Sequence, residues 1–356
     1  MRIKVIHGGL LTTVQDKGRW GYQAMGMPVA GAMDQRSLNI GNILSGNGMD
    51  TACLEITLSG PTLDILHGDG LVAYAGAELG FSINGIPSPS WKALRVSEGN
   101  RISFSGPGSN GCIGYLCFAG GIDTPPVMGS RSTYLRGRIG GIEGRALRSG
   151  DILQTGPMPA LWIRTEGFEC PGDLRPDLSL EKPFRVIPGP QEEKFSDKGQ
   201  KDFYNSVYTV SELADRMGFR LKGSKVELLS NADIISDPVP LGAIQVPGHG
   251  EPIVMMADRQ TTGGYAKIAV MSSVDLGRLA QRIPGEKIRF SKISFQEGLE
   301  ISRSLSRNMS RLLRERARYR TQPVLGKGRI FQDAGRFTIS VRGEPHQVEW
   351  KEIDPD

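Results

Sequence analysis

QVPGHGEPIVMMADRQTTGGYAKIAV, residues 245–270, is the stretch from which the fold of this chain is read. Two apolar runs begin in it, Pro252 to Ala257 and Ala266 to Met271, and both have strand length and β-branched content. Between them lies a dense polar turn, Asp258 to Tyr265. Gly263 and Gly264 permit positive φ or close approach of the backbone to another group. Asp258, Gln260, Thr261, Thr262 and Tyr265 bring one carboxylate, one amide and three hydroxyls into eight residues. A plain hairpin needs Asn-Gly or Asp-Gly and little else. A long solvated loop accounts for the same residues, because polar loops are common, so both readings stay open here.

Outward from that stretch, the composition points the same way. A chain of 356 residues is long enough for two domains. Gly 47 and Pro 22 are both high. With few long helical periods, they predict a mainly β fold with a few short helices. Apolar runs such as Cys53 to Leu58, Pro61 to Leu66, Leu71 to Ala75 and Cys112 to Phe118 alternate with turn signals every ~8–12 residues, as in sandwiches and barrels. Asn84-Gly85 is a strong hairpin signal.

Several function classes recede on composition. Net charge is +5, a mild excess drawn largely from one C-terminal segment, which does not support a nucleic-acid partner. Cys53, Cys112, Cys117 and Cys170 show no CxxC spacing, and the four histidines are scattered, so no metal is expected. The first three cysteines lie in or beside apolar runs and are expected to be buried thiols. The N-terminus MRIKVIHGG lacks an apolar signal region, and no apolar run nears ~18 residues. No membrane association and a cytoplasmic location are the expectations.

In chain order, Asp34 is placed to cap a helix over Gln35 to Leu44, with Leu38, Ile40, Ile43 and Leu44 inward and Gly46-Asn47-Gly48 ending it. Gly106 to Gly111 matches GxGxxG, but the strand-like run Cys112 to Phe118 follows where a dinucleotide site needs a helix. The chain carries no GxxxxGK[ST] loop either. Ser130-Arg131-Ser132, in a glycine-rich loop, suits a carboxylate or phosphate, since guanidinium binds oxyanions bidentately. A structural arginine tied to backbone carbonyls is the equal alternative.

The proline-rich stretch Gly156 to Pro183 reads as a connection. It divides the chain into domains 1–160 and 184–292, a linker over 161–183, and a tail 293–356. In the second half, Val207 to Val210 is a predicted strand, and Asp215 to Leu221 is a polar turn entering another. Ser272 or Ser273 starts a helix over Val274 to Gln281, and Lys287 to Phe290 is a closing strand. Phe295 to Arg320 is the clearest helix, with a partial apolar stripe and seven arginines elsewhere. Such a basic amphipathic helix suits a membrane surface or an acidic partner, but a solvated face accounts for it more often. The tail holds a hairpin pattern, Phe337 to Val341 and Gln347 to Trp350 around Gly343.

Taken together, these motifs resemble the C-subunit group of bacterial 5-oxoprolinase, also known as allophanate hydrolase subunit 2, the biotin-dependent carboxyltransferase family or the Kip inhibitor antagonists. The matching segments are Thr13 to Arg19, Gly31 to Asp34, Gly46-Asn47, Leu54-Glu55, Gly129 to Thr133, Asp215 to Gly218, Gln245 to Pro247, Asp258 to Tyr265 and Ala280-Gln281. They cover roughly residues 3–290. The resemblance implies two cyclophilin-like β-barrel domains followed by the helix and hairpin tail. It implies as partners the B and A subunits of 5-oxoprolinase, of which B is Kip inhibitor-like. The implied reaction is ATP-dependent opening of 5-oxoproline to glutamate, with ATP needed by the complex and not necessarily bound by this chain. Fused relatives in urea carboxylase supply half of a site where carboxybiotin passes its carboxyl group to urea.

Both implied chemistries hold an amide or lactam by hydrogen bonds. On that basis Gln260 and Gln245 suit amide recognition, and Asp258 suits accepting an N–H or acting as base. Thr261, Thr262 and the amides of Gly263 and Gly264 suit oxyanion stabilisation. Tyr265, His249 and Arg216 join Ser130, Arg131 and Ser132 as substrate-binding candidates. His249 departs from the small or polar residues that relatives commonly carry there. The tail departs too: it lacks the Met-Lys-Met biotin site, so no covalent biotin is expected. The alternatives to 5-oxoprolinase are a carboxyltransferase component working on urea or a similar amide with a separate biotin carboxylase, and a non-enzymatic antagonist of a kinase inhibitor.

Overall fold

The computed structural model describes residues 1–108, 110–159, 162–179, 182–230, 233–321, 334–341 and 344–351. It is mainly β. In the first half, one sheet runs in the order Ile152–Gln154, Arg2–His7, Thr62–His67, Arg101–Phe104, Phe81–Ile83, Ile86–Pro87. A second runs Leu11–Gln15, Cys53–Thr57, Ile113–Phe118, Gly70–Gly76, Ala93–Val96. Ile3, Leu63 and Ile102 from the first meet Leu54, Val72 and Leu116 from the second in one core. The Asn84-Gly85 turn joins Phe81–Ile83 to Ile86–Pro87, with both turn residues at positive φ. The run after the false dinucleotide motif is the fully buried strand Ile113–Phe118; Ser109 lies outside the described residues.

The second half is built on eight strands in the order Lys287–Ile288, Tyr208–Val210, Gly218–Lys222, Ile253–Met255, Ala243–Gln245, Lys267–Met271, Phe184–Pro188, Phe290–Lys292. The two edge strands are separated by Arg289 alone, so the chain itself brings the edges together and nearly closes the sheet into a barrel. The residues expected as one polar turn divide. Asp258 to Thr261 is irregular, but Thr262–Tyr265 is a strand pairing with Asp233–Pro238 as a separate ribbon. That partner strand carries no turn-flanked apolar alternation, and the sequence reading misses it.

Helix α1 spans Gln35–Leu44, and Asp34 caps it by accepting from the Ser37 amide at 3.1 Å. Gly46 follows at φ +86, where a side chain would be strained. Helix α2, Asp197–Asn205, has no counterpart in the sequence reading. It starts at Ser196, whose hydroxyl accepts from the Gly199 amide at 3.0 Å. A Cβ at Gly199 would lie 2.2 Å from the Glu227 carbonyl oxygen, so packing demands a helix-breaking residue inside the helix. Helix α3, Ser273–Ala280, begins after Ser272, which makes no side-chain cap bond. Helix α4, Phe295–Thr321, buries only Met309 and Leu312, and Phe295 is exposed.

The stretch taken as a connection is firmly packed. Phe168, Cys170 and Leu174 join Ile40 and Ile43 of α1 and Met309 of α4 in one core. A further core is shared by the halves: Met33, Leu38, Cys53 and Tyr115 pack with Phe184, Val254, Leu276 and Phe290. All four cysteines are free and buried. Residues 1–320 form one compact unit and 321–356 a second. In the latter, Ala334–Val341 pairs with Glu344–Lys351 as the expected hairpin, and Gly343 lies outside the described residues. No helix among the described residues is long and apolar enough to cross a membrane.

Candidate functional site

The barrel strands deliver the first group of polar side chains. Gln245 ends one strand, the Asp215 turn enters another, and together they wall a cleft of about 300 Å³ that also takes in Arg220, His249, Gln260 and Tyr265. Gln245 is 1% exposed. Its Oε1 accepts from Gln260 Nε2 at 3.3 Å, and its Nε2 donates to the Tyr265 carbonyl at 3.5 Å. Gly263 is explained by this contact, because a Cβ there would sit 2.7 Å from Gln245 Nε2. Among the described residues, two chained amides leave Gln260 with a free carbonyl oxygen and an N–H, the complement of a lactam. Arg220 has no ion-pair partner among the described residues, whereas Arg136 pairs with Asp215 at 3.2 Å. His249 is exposed, 3.9 Å from Glu251. Thr262 is exposed on the ribbon, and Thr261 borders a neighbouring cavity with Gln260.

Asp258 is elsewhere. It is 3% exposed. Its Oδ2 accepts from Arg216 Nε at 3.1 Å and its Oδ1 from Nη2 at 3.0 Å. Arg216 Nη1 reaches Glu55, and Nη2 also donates to the Gly31 carbonyl at 2.5 Å. Glu55 Oε2 in turn accepts from the Tyr115 hydroxyl and the Met33 amide, both at 2.8 Å. This network borders a second cavity of about 380 Å³ where the halves meet. The two cavities adjoin, since Arg136, Asp215 and Met217 wall both. Asp215 holds the shared turn, accepting from the Met217 and Gly218 amides at 2.8 and 3.1 Å.

Charge in the network is unevenly held. Burial pushes the Glu55 carboxyl above its ordinary range, and Arg216, Met33 and Tyr115 offset that only in part. Burial would lower the Arg216 guanidinium, but Glu55 and Asp258 outweigh it and the net direction is up. Both Asp258 oxygens accept from the Arg216 fork, so Asp258 as arranged here positions Arg216 at the cavity wall.

The serine–arginine loop is likewise engaged. Ser130 and Ser132 hydroxyls donate to Asp16 at 2.7 and 2.5 Å, and Arg131 pairs with Asp123 at 3.1 Å. None of the three walls either cavity. The structure therefore joins Gln245, His249, Gln260 and Tyr265, sets Arg216 with Asp258 in the adjacent cavity, and leaves the Ser130–Ser132 loop as a latch on Asp16. Sequence reasoning missed Glu55, Tyr115 and Arg220 as site residues. For Glu55 a signal existed: a carboxylate at the centre of the apolar run Cys53 to Leu58 demands a partner. No cluster of three His, Cys, Asp or Glu suited to a metal gathers among the described residues.

The model of the carboxyltransferase domain, subdomain A and B, matches residues 25–292, which include all of both cavities except Leu11. The chain belongs to that carboxyltransferase family. It is 37% identical over 312 residues to the 5-oxoprolinase C subunit of Escherichia coli strain K12, covering 87% of this chain and 97% of that one. It is also 37% identical to the 5-oxoprolinase C subunit of Haemophilus influenzae over 291 residues, 82% of this chain and 91% of that one. Among solved structures, urea amidolyase of Kluyveromyces lactis matches with a TM-score of 0.81 at 30% identity. There the match covers 87% of this chain but spans only 20% of the amidolyase.

Proposed function

We propose that this chain is the C subunit of a 5-oxoprolinase that couples ATP hydrolysis to the opening of 5-oxoproline to glutamate, working with the A and B subunits. The observation carrying this reading is the near full-length match to a 5-oxoprolinase C subunit, 97% of the Escherichia coli relative. The urea amidolyase match, by contrast, is to a fifth of a larger protein. The cleft chemistry supports the same substrate. The Gln260 amide, braced by Gln245, complements the lactam N–H and C=O, and Arg220 complements the carboxylate. Arg216, held between Glu55 and Asp258, anchors the turn between the cavities. ATP is consumed by the assembled complex.

The test is 5-oxoproline-dependent ATP hydrolysis by the A and B subunits with and without this chain. Turnover that needs the chain, with a higher KM for Gln260→Ala or Arg220→Met, is the expected result. Turnover indifferent to the chain, together with carboxybiotin-dependent carboxylation of urea, would overturn it in favour of the carboxyltransferase reading.

A further inference from the structure

On the other side of the Asp258–Arg259 peptide, a separate cavity of about 290 Å³ lies between α1, the loop before it, α3 and α4. It shares no wall residue with the Gln245 cleft. Two arginines border it, and among the described residues neither has a carboxylate at ion-pair distance. Arg259 is 6% exposed, and its Nε and Nη1 donate only to the carbonyls of Val239 at 2.9 Å and Met256 at 3.4 Å. Arg36 Nη2 donates to the Leu174 and Arg175 carbonyls, at 2.9 and 3.3 Å, while its Nε is buried with no partner. The one carboxylate in the wall, Asp34, is spent on Ser37 and Gln281. Lys17, also in the wall, pairs with Asp50 at 2.8 Å.

Burial drags the Arg259 guanidinium down to about 10, with no acid opposing it, and lowers Arg36 as well, where the nearby Asp34 offsets the effect only in part. A cation held in a dry wall without a counter-charge is costly, and a bound anion removes that cost. Met33, Met256, Leu305 and Met309 give the wall an apolar side, and Gln35, Ser273 and the half-buried Asn39 add neutral polar groups. The volume is at the small end for ligand cavities.

We propose that this cavity is a binding site for a compact organic monocarboxylate, its carboxylate held by Arg36 and Arg259 and its apolar body by the methionine and leucine wall. Apolar walls select an anion with one charged end over a fully hydrated one such as inorganic phosphate. The site stands independently of the 5-oxoproline reading, because it uses none of the cleft residues.

The test is calorimetric titration of the full chain with 4-methylpentanoate, its neutral isostere 4-methylpentanamide, and inorganic phosphate. The acid is expected to bind at one per chain, and the amide and phosphate to bind at least about tenfold more weakly, the scale of a charge-assisted pair. Arg36→Met and Arg259→Met should each cost about tenfold or more, Leu305→Trp should block the cavity, and Gln245→Ala should leave binding unchanged. Equal binding of acid and amide, tighter binding of phosphate, no binding of the acid at millimolar concentration, or undiminished binding by Arg36→Met overturns the proposal. Should Arg259→Met fail to fold, Arg36→Met and Leu305→Trp still decide the outcome.

Discussion

The guanidinium of Arg216 grips both carboxylate oxygens of Asp258, Nε to Oδ2 at 3.1 Å and Nη2 to Oδ1 at 3.0 Å. Its remaining nitrogen crosses to Glu55, 161 residues away in the chain. One cation thus neutralises two buried acids, one from each half. Arg216→Leu would strand both. A loss of about 3–5 kcal/mol in denaturant unfolding is expected, the usual cost of breaking a buried pair. Adding Glu55→Gln and Asp258→Asn to Arg216→Leu should recover part of it, because neutral amides cost less to bury.

Glu55 also sets a pH dependence. Its folded carboxyl is raised above the ordinary glutamate value of 4.5, so the folded state holds that proton more tightly than the unfolded chain. Its contribution to stability is then full below 4.5 and is lost as pH rises towards the folded value. The stability of the native sequence relative to Glu55→Gln should fall as pH rises through that window and then level off. Chemical denaturation of both proteins across mildly acidic to neutral pH measures it. A difference that grows with pH would contradict the direction of the shift.

Asp275 runs the opposite way. Burial raises its carboxyl, but Arg185, donating Nε at 2.9 Å and Nη2 at 2.7 Å, more than reverses this and the net direction is down. Its stabilisation is present above the ordinary aspartate value of 3.8 and lost as pH falls through the folded value. The stability difference from Asp275→Asn should therefore shrink on acidification, in the same titrations.

Gly263 and Gln245 should behave as a unit. A methyl at Gly263 meets Gln245 Nε2 at 2.7 Å and must displace it. Gly263→Ala is expected to cost about 1–3 kcal/mol of stability by overpacking. In the assembled complex it should raise KM for 5-oxoproline. Gln245→Ser in the same chain should relieve the stability cost but not restore KM. Full additivity of the two substitutions in unfolding would show that the residues do not meet.

Gln281 stitches the halves through one side chain. Its Oε1 accepts from the Cys112 and Ile113 amides at 3.0 and 2.9 Å, and its Nε2 donates to Asp34 at 3.1 Å and to the Ile113 carbonyl at 3.0 Å. Gln281→Leu removes this acceptor from the buried Cys112 and Ile113 amides, while Asp34 keeps Ser37 and the Ile113 carbonyl keeps the Ala77 amide. A loss of about 1–3 kcal/mol is expected for each amide that finds no water. Unfolding midpoints compared with Gln281→Glu separate lost hydrogen bonds from altered shape.

What the sequence determined by itself is local. Asp34 and Gly46 bound α1 because a cap and a left-handed residue satisfy a helix's own end groups. Asn84-Gly85 closes its hairpin because both residues tolerate positive φ. The apolar runs become buried strands because alternation and β-branching favour a pleated, covered surface. Where local preference was weak, the sequence was silent. Polar α2, with Gly199 inside it, is held by its packing on the core through Phe203, stacked 4.8 Å from Phe290. The Asp233–Pro238 strand exists because Thr262–Tyr265 offers an edge to pair with.

The candidate site divides along the same line. Gln245, Gln260, His249 and Tyr265 were legible because they crowd one polar stretch, and the barrel brings that stretch to one cleft. The partnership of Glu55, Arg216 and Asp258 was decided only by the tertiary structure, as were the engagement of Ser130 and Ser132 by Asp16 and the isolation of Arg259. A residue's type tells what it can bond to, but the energy of a charge depends on how deeply it is buried and what lies opposite. Those are properties of contacts between distant segments, which exist only once the sheets have closed.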